Sequence, residues 1–270
     1  MMKKLIAIIS IAFALCACQS EPKLVIVHVN DTHSHVEPVR SGEYEGRGGV
    51  IERAVIVDSL RAKYGDDRVL LLHAGDFSQG TSYFSTLKGQ LEPKMLNAFR
   101  YDCITIGNHE FDNDIEALTQ RLSMLENTNV TCANIDVSQF ELSEYVKPYS
   151  IVEKAGMKIG IIGLTSNLSA NVSATISSRI PQLDNVEVVN KWSSHLENEE
   201  NCDMIILLSH LGFKEDMAII PQVSNIDLVV GGHSHTFVDD FTYVADADGI
   251  EVPIIQAGCW GEVLGEISIW

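Results

Sequence analysis

Five short apolar runs in this chain each end in a polar group able to ligate a metal or move a proton, and this repeated pattern restricts the fold more than any other feature. Leu24 to Asn30 leads into Asp31 and His33, Val69 to Ala74 into Gly75-Asp76, and Cys103 to Ile106 into Gly107-Asn108-His109-Glu110. Met204 to Leu208 leads into Ser209-His210, and Asp227 to Val230 into Gly231-Gly232-His233-Ser234-His235. Runs this short, β-branched and nearly continuous read as strands buried on both faces. In an open α/β sheet, ligands gather in the crevice beyond the carboxyl ends of such strands. The pattern therefore predicts one shared site rich in carboxylate and imidazole.

Apolar residues at three-to-four spacing predict helices over Gly49 to Tyr64, Leu87 to Arg100, Asp114 to Leu125 and Val186 to Asn198. Further strands are expected at Val130 to Ala133, Tyr149 to Val152 and Lys158 to Leu164, with Ala155-Gly156 as a hairpin turn. Phe241 to Val244 and Val252 to Gln256 flank Asp246-Ala247-Asp248-Gly249, which lacks the spacing and closing Glu of a calcium loop and reads as a second hairpin turn. A strand over Glu266 to Trp270 comes last. Strand and helix in repeated alternation argue an α/β fold with sheets between helix layers, and 270 residues at 46% hydrophobic can fill one large domain.

The first residues belong to export rather than to that domain. Lys3 and Lys4 precede an apolar stretch, Leu5 to Leu15, that is too short to span a bilayer. Leu15-Cys16-Ala17-Cys18 resembles a bacterial lipoprotein cleavage box, which makes residues 1–17 a signal peptide, Cys18 the lipidated first residue, 18–23 a tether and 24–270 the catalytic domain. An ordinary signal peptide with incidental cysteines is the plainer alternative. Of 19 basic residues, two fall in the signal, leaving 17 against 37 acidic and a net charge of −20. Such a surface repels nucleic acid polymers and anionic membranes, so attachment would rest on the lipid, at the periplasmic face or the cell surface. Cys103, Cys132, Cys202 and Cys259 lack zinc-knuckle spacing and read mostly as small buried hydrophobes rather than bridges.

Asp31-Thr32-His33 on an extended segment would point a carboxylate and an imidazole the same way, toward one ion. Asp76 adds a carboxylate able to bridge two cations, Gly75 letting the backbone turn tightly, although a turn Asp capping the next helix is an equal reading of that pair alone. Asn108 and His109 supply an amide oxygen and an imidazole, of which only one need touch metal. With His210, His233 and His235 the oxygen and nitrogen donors suit Zn²⁺, Mn²⁺ or Fe rather than Ca²⁺. A lone strand-end His is more often a structural hydrogen-bonder, but five such ends in one chain overturn that reading. His28 and His73 inside strand runs read as satisfied core residues, His35 as a loop or supporting residue, and His195 as part of a surface helix. No G-x-S-x-G turn indicates a Ser nucleophile.

In this order, Asp31-x-His33, Gly75-Asp76, Gly107-Asn108-His109-Glu110-Phe111-Asp112, Ser209-His210 and Gly232-His233-x-His235 resemble the calcineurin-like metallophosphoesterases, and in wording the catalytic domain of bacterial 5'-nucleotidases. The resemblance covers residues 24 to 270 and implies a four-layer α/β/β/α sandwich. It implies that Asp31, His33 and His235 hold one divalent ion, that Asn108, His210 and His233 hold a second, and that Asp76 bridges them. His109 and Asp112 fall on the family's catalytic pair, His109 to protonate or stabilise the reacting phosphate and Asp112 to orient it. Two cations roughly 3.5–4 Å apart can acidify a bridging water for in-line attack on a phosphoester and neutralise phosphoryl charge. The family often has an acid where His73 stands. Full-length enzymes of this kind carry a second domain with the arginines and aromatic rings that hold the nucleotide, so a separately encoded specificity-domain protein is an expected partner. Two other readings stay open: a related hydrolase of another ester, such as a protein-bound thiosulfate ester, and a lipid-anchored metal binder without turnover, which would not need His109 and Asp112.

Overall fold

The computed structural model describes residues 21–270, so the signal and Cys18 lie outside the described residues. The expected strands appear as two six-stranded sheets. In the first, β1 (Leu24–Val29), β2 (Val69–Ala74), β3 (Cys103–Thr105), β4 (Asn129–Thr131) and β5 (Val146–Lys147) run parallel, and the chain's last strand, β12 (Gly265–Ile269), closes the β1 edge antiparallel. In the second, β7 (Met157–Leu164), β8 (Met204–Ser209), β9 (Leu228–Gly231) and β11 (Glu251–Gln256) run parallel, with β6 (Tyr149–Lys154) and β10 (Thr242–Ala245) as antiparallel edges.

Alternate residues of β1 and β2 explain the layering. Leu24, Ile26, Leu70 and Leu72 pack between the sheets against Ile159, Ile161, Ile206 and Leu208. Val25, Val27, Val69 and Leu71 face the opposite way, onto α1 (Val50–Tyr64) and onto two helices that follow β2 and β3. The second sheet buries its outer face under α7 (Asn185–Asn198) and α8 (Phe213–Ile219) through Val188, Val189, Leu196 and Ile219. The result is the α/β/β/α sandwich, in which a strand buried on both faces has no polar side to show. Each fully buried Leu or Ile contributes about 1.5–3 kcal/mol relative to exposure, which is why these runs read as unbroken apolar segments.

The helix expected over Leu87 to Arg100 is two helices, α2 (Ser82–Leu87) and α3 (Glu92–Phe99). Lys88 and Gly89 take left-handed backbone, which ends α2, and Pro93 in the first turn of α3 suits a helix start rather than an interior. Arg61 from α1 then caps α3, donating to the carbonyls of Phe99 and Arg100 at 2.7 and 2.9 Å. α4 (Ile115–Leu122) and α7 begin on Asp114 and Asp184, whose carboxylates accept from Ala117 and Glu187 amides. Two single-turn helices, α5 (Leu168–Asn171) and α6 (Ala174–Ser177), lie between β7 and α7. The hairpin turns at Ala155-Gly156 and Asp246–Gly249 join β6 to β7 and β10 to β11 as expected. None of Cys103, Cys132, Cys202 and Cys259 is bridged, and all but Cys202 are buried.

His28 is buried but not satisfied. Its ring lies over Gly265 of the neighbouring strand, and neither ring nitrogen has a hydrogen-bond partner. Burial pulls its pKa from the usual 6.5 to about 4. Below 6.5 the unfolded chain takes up a proton that the native ring refuses, so stability falls as pH drops from 6.5 toward 4, by up to about 3 kcal/mol. Urea unfolding of wild type and His28→Leu at pH 7 and pH 5 checks this. The variant is expected to lose less stability between the two, and parallel losses would refute the assignment.

Candidate metal centre

The carboxyl ends of β1, β2, β3, β8 and β9 meet at one edge of the sandwich and bring all five strand-end groups together. The extended conformation expected for Asp31 and His33 is not what joins them. Both are left-handed, with φ of 49° and 47°, and so are Asp76, His233 and His235 at 53°, 73° and 53°. Non-glycine residues in this region cost about 1–3 kcal/mol each and persist only where surrounding structure imposes them. Here the loop after β1 runs along the loop after β2: the amides of Asp31, His33 and Ser34 donate to the carbonyls of Gly75, Asp76 and Phe77 at 2.9, 3.0 and 3.1 Å. The left-handed turns at Asp31 and His33, held by these contacts, are what carry both side chains to the donor groups. Gly75 and Gly107 allow the close approach. A Cβ on Gly75 would stand 2.6 Å from His210 Nδ1, and one on Gly107 would overlap the Asp76 carboxylate.

Three groups of side chains bring ligand atoms within 4.8 Å of one another: Asp31, His33 and His235; His33, Asp76 and His109; and Asp76, His210 and His233. His33 Nε2 and His235 Nε2 face each other at 3.0 Å, and His235 Nε2 is 3.4 Å from Asp31 Oδ1. His210 Nε2 is 3.1 Å from Asp76 Oδ2 and 3.9 Å from Asp31 Oδ1.

The donor set fits a cation for a specific reason. His210 Nδ1 lies 2.6 Å from the Ala74 carbonyl and His33 Nδ1 lies 3.3 Å from that of Ser78. Only a protonated nitrogen can bond a carbonyl, so each Nε2 turns a lone pair toward the carboxylates. Asp31 Oδ1 and His210 Nε2 are buried with no hydrogen-bond partner, whereas Asp31 Oδ2 accepts from Asn30 Nδ2 at 2.7 Å and from the His233 amide at 2.8 Å. Buried polar atoms are normally paired; lone pairs left without a partner within these donor groups are what positive ions would satisfy. The electrostatics agree. Although burial opposes it, Asp76 and Asp31 raise the His210 pKa to about 10, and the Asp31 carboxylate 3.4 Å away, with Cys259 beside it, does the same for His235. The field that draws a proton there would equally draw a divalent cation.

His109 and Asp112 stand at the rim. The short helical turn His109–Phe111 places His109 Nδ1 2.8 Å from Asp112 Oδ2, and the hydrogen bond to Asp112 holds the imidazole pKa above its usual value. The His109 amide donates to Asp76 Oδ1 at 2.9 Å, and its ring meets that of His33 edge-on at 5.3 Å. With its side chain 31% exposed, it is open to a molecule entering the site. Asn108 is buried and its Oδ1 accepts from Ser166 Oγ at 3.1 Å.

Several supporting residues escaped sequence reasoning. Ser166 follows β7, a sixth strand end that the same rule could have flagged. Asn30 ties Asp31 to the Gly258 carbonyl at 2.6 Å, and nothing in its sequence position signals that. Glu110 sits in the motif but faces away from the donor groups. Its carboxylate accepts from the amides of Gly107, Asp76 and Ser78 at 2.6, 2.9 and 3.0 Å, and buried Arg121 donates to its carbonyl. Burial, reinforced by Asp76, pushes its pKa to about 7. His73 is half satisfied, its Nε2 3.0 Å from Thr32 Oγ1 and its Nδ1 unpartnered.

The sequence model of the calcineurin-like phosphoesterase family matches residues 24–237. The snake venom 5'-nucleotidase of Crotalus adamanteus is 34% identical over 95% of this chain and 46% of its own length. The probable 5'-nucleotidase of Treponema pallidum is 30% identical over 98% of this chain and 49% of its own. Among solved structures, the 5'-nucleotidase precursor of Thermus thermophilus superposes with a TM-score of 0.83 at 33% identity, over 90% of this chain and 50% of that one. The chain thus spans about half the length of the relatives it matches.

Glu110→Ala would leave three buried amides unpaired, a loss of about 3 kcal/mol or more at roughly 1–3 kcal/mol each. Glu110→Gln, which keeps one acceptor oxygen, is expected to fall between it and wild type. Urea midpoints measure both, and a shift below about 1 kcal/mol for the alanine variant would show that the carboxylate does not organise these loops.

Proposed function

Because the chain belongs to the calcineurin-like phosphoesterase family, we propose that it is a metal-dependent phosphoester hydrolase of the 5'-nucleotidase type, releasing phosphate from nucleotides. In this reading Asp31, His33 and His235 would hold one divalent ion and Asn108, His210 and His233 a second, with Asp76 contributing to both. The observation that carries it is the His109–Asp112 pair beside buried, unpartnered ligand atoms on Asp31 and His210. A scaffold that only bound metal would not need a rim imidazole oriented by its own carboxylate.

Mn²⁺, Zn²⁺ or Fe suits the mixed nitrogen and oxygen donors, and when bound supplies charge stabilisation at the phosphoryl group and acidification of water. The chain's own residues do the rest. Asp31 and Asp76 set the negative charge that retains the cations, and the backbone contacts between the loops after β1 and β2 keep those carboxylates from relaxing apart. Asp112 accepts from His109 Nδ1 and fixes the ring plane, which leaves Nε2 to present a proton to the phosphoryl or leaving oxygen. The His109 amide donates to Asp76 Oδ1, which ties the turn carrying His109 to the donor groups.

We also place the protein outside the cytoplasm, lipid-anchored through Cys18. Support comes from the Lys3-Lys4 start, the Leu5 to Leu15 stretch and the Leu15-Cys16-Ala17-Cys18 box. Among the described residues no helix is long and apolar enough to cross a membrane. Cys18→Ser is expected to move the protein from the membrane to the soluble fraction, and unchanged partitioning would count against the anchor.

Phosphate release from a nucleotide panel, measured with Mn²⁺- or Zn²⁺-loaded protein, is expected to disappear on chelation and return on reloading. His109→Ala should lower kcat by about 10²–10⁴ while elemental analysis finds its metal content unaltered. Metal-loaded wild type silent on the whole panel would overturn the proposal.

A further inference from the structure

Gln256, the last residue of β11, is buried and lies in register with Gly231, the last residue of β9. Its carboxamide reaches sideways to the segment that follows β9 and carries His233 and His235. Gln256 Nε2 donates to the Gly232 carbonyl at 2.7 Å, and Oε1 accepts from the Thr236 amide at 2.6 Å and from Ser234 Oγ at 3.0 Å. The partners fix the orientation of the carboxamide, since a carbonyl can only accept and a backbone N–H can only donate. One side chain therefore holds the residue before His233 and the residue after His235.

That span is where support is needed. On either side of it the backbone is already paired: β9 runs alongside β11 as far as Gly231, and the Gly258 and Val238 amides donate to the Thr236 and Gln256 carbonyls at 3.0 and 3.1 Å. In between, His233 and His235 are both left-handed, and the Ser234 amide folds back to the Gly232 carbonyl at 2.9 Å. Such an arch persists only where its surroundings impose it. The residues after Gln256 serve the other side of the site. The Ala257 amide donates to Asn30 Oδ1 at 2.9 Å, and Asn30 Nδ2 donates to the Gly258 carbonyl at 2.6 Å and to Asp31 Oδ2 at 2.7 Å. The end of β11 thus refers Asp31 and His235, 3.4 Å apart, to one stretch of chain.

Resting on the metal-centre reading, we propose that Gln256 is a positioning residue for His233 and His235, clamping the arch so that the two imidazoles keep their places beside Asp76 and Asp31. Its contribution is preorganisation: donor groups held in place before a cation arrives lose less freedom when it binds. The position calls for an amide of this length. A carboxylate would set an oxygen against the Gly232 carbonyl oxygen, and an apolar side chain would leave the Thr236 amide without its acceptor.

The test is calorimetric titration of metal-free wild type, Gln256→Met, Gln256→Asn and Arg61→Met with Zn²⁺ against a competing chelator. Methionine matches the size of glutamine and removes all three hydrogen bonds. Asparagine keeps a carboxamide in the buried position, so it carries the test should the methionine variant fail to fold, but it is one methylene too short to span Gly232 and Thr236. Arg61→Met removes the cap of α3 and serves as a variant that loses only stability. Both Gln256 variants are expected to bind Zn²⁺ about 10–100-fold more weakly, the scale for a residue that supports a metal ligand, while Arg61→Met keeps wild-type affinity. Wild-type affinity in both Gln256 variants would overturn the inference, and so would an equal loss in Arg61→Met, which would mark the effect as one of global stability. Hydrogen exchange at the Thr236 amide of the metal-free proteins gives a second readout: faster exchange in both Gln256 variants and not in Arg61→Met is expected, and exchange unchanged in all of them refutes the clamp. If wild type takes up no Zn²⁺, the metal-centre reading fails on its own, and exchange at Thr236 still decides whether Gln256 holds the arch.

Discussion

The geometry of this site depends on a carboxylate that never faces it. Glu110 gathers the amides of Gly107, Asp76 and Ser78, and so locks the loop after β2 to the loop after β3. The loop after β1 is laced to the β2 loop by three backbone bonds, and Asn30 ties Asp31 onward to Gly258. Strained left-handed residues can then be maintained, because each would have to break several buried hydrogen bonds to relax. The positions of Asp31, His33 and Asp76 are consequences of that lacing more than of their own preferences.

Charge sets the second constraint. The chain carries a net charge of −18, and Asp31, Asp76 and Glu110 are buried within one small region. An anionic phosphoester would be repelled from such a place. Divalent cations held there would reverse the local sign, since in a site of this kind they would be the largest charges. The unpartnered atoms on Asp31 and His210 and the upward pull on the His210 and His235 pKa values all describe the same unmet demand for positive charge.

The two sheets divide the labour. Asp31, Asp76 and Asn108 come from the first sheet, and His210, His233 and His235 from the second, so the donor groups exist only where the two carboxyl edges meet. Packing of Leu24, Ile26, Leu70 and Leu72 against Ile159, Ile161, Ile206 and Leu208 is therefore also what sets the spacing of the site. The same interface leaves His28 without a partner, in a space shaped by Gly265.

Periodicity and composition alone determined the buried strands, the alternation with helices and the polar groups at the strand ends, because a strand covered on both faces must be apolar until the moment it leaves the sheet. The four layers and the assignment of particular ligands came instead from resemblance to a known family. Reading residue by residue went wrong where local conformation is imposed from outside. Asp31 and His33 were expected to be extended and are left-handed, and the helix expected over Leu87 to Arg100 is split at Lys88 and Gly89. Asn30 and Ser166 both act through partners far along the chain; Ser166 stands just past a strand end that the same rule could have flagged, whereas nothing in its sequence position marks Asn30. Those residues meet only when the sheets stack, and the free energy that holds them there comes from the core between the sheets, which no local stretch of sequence contains.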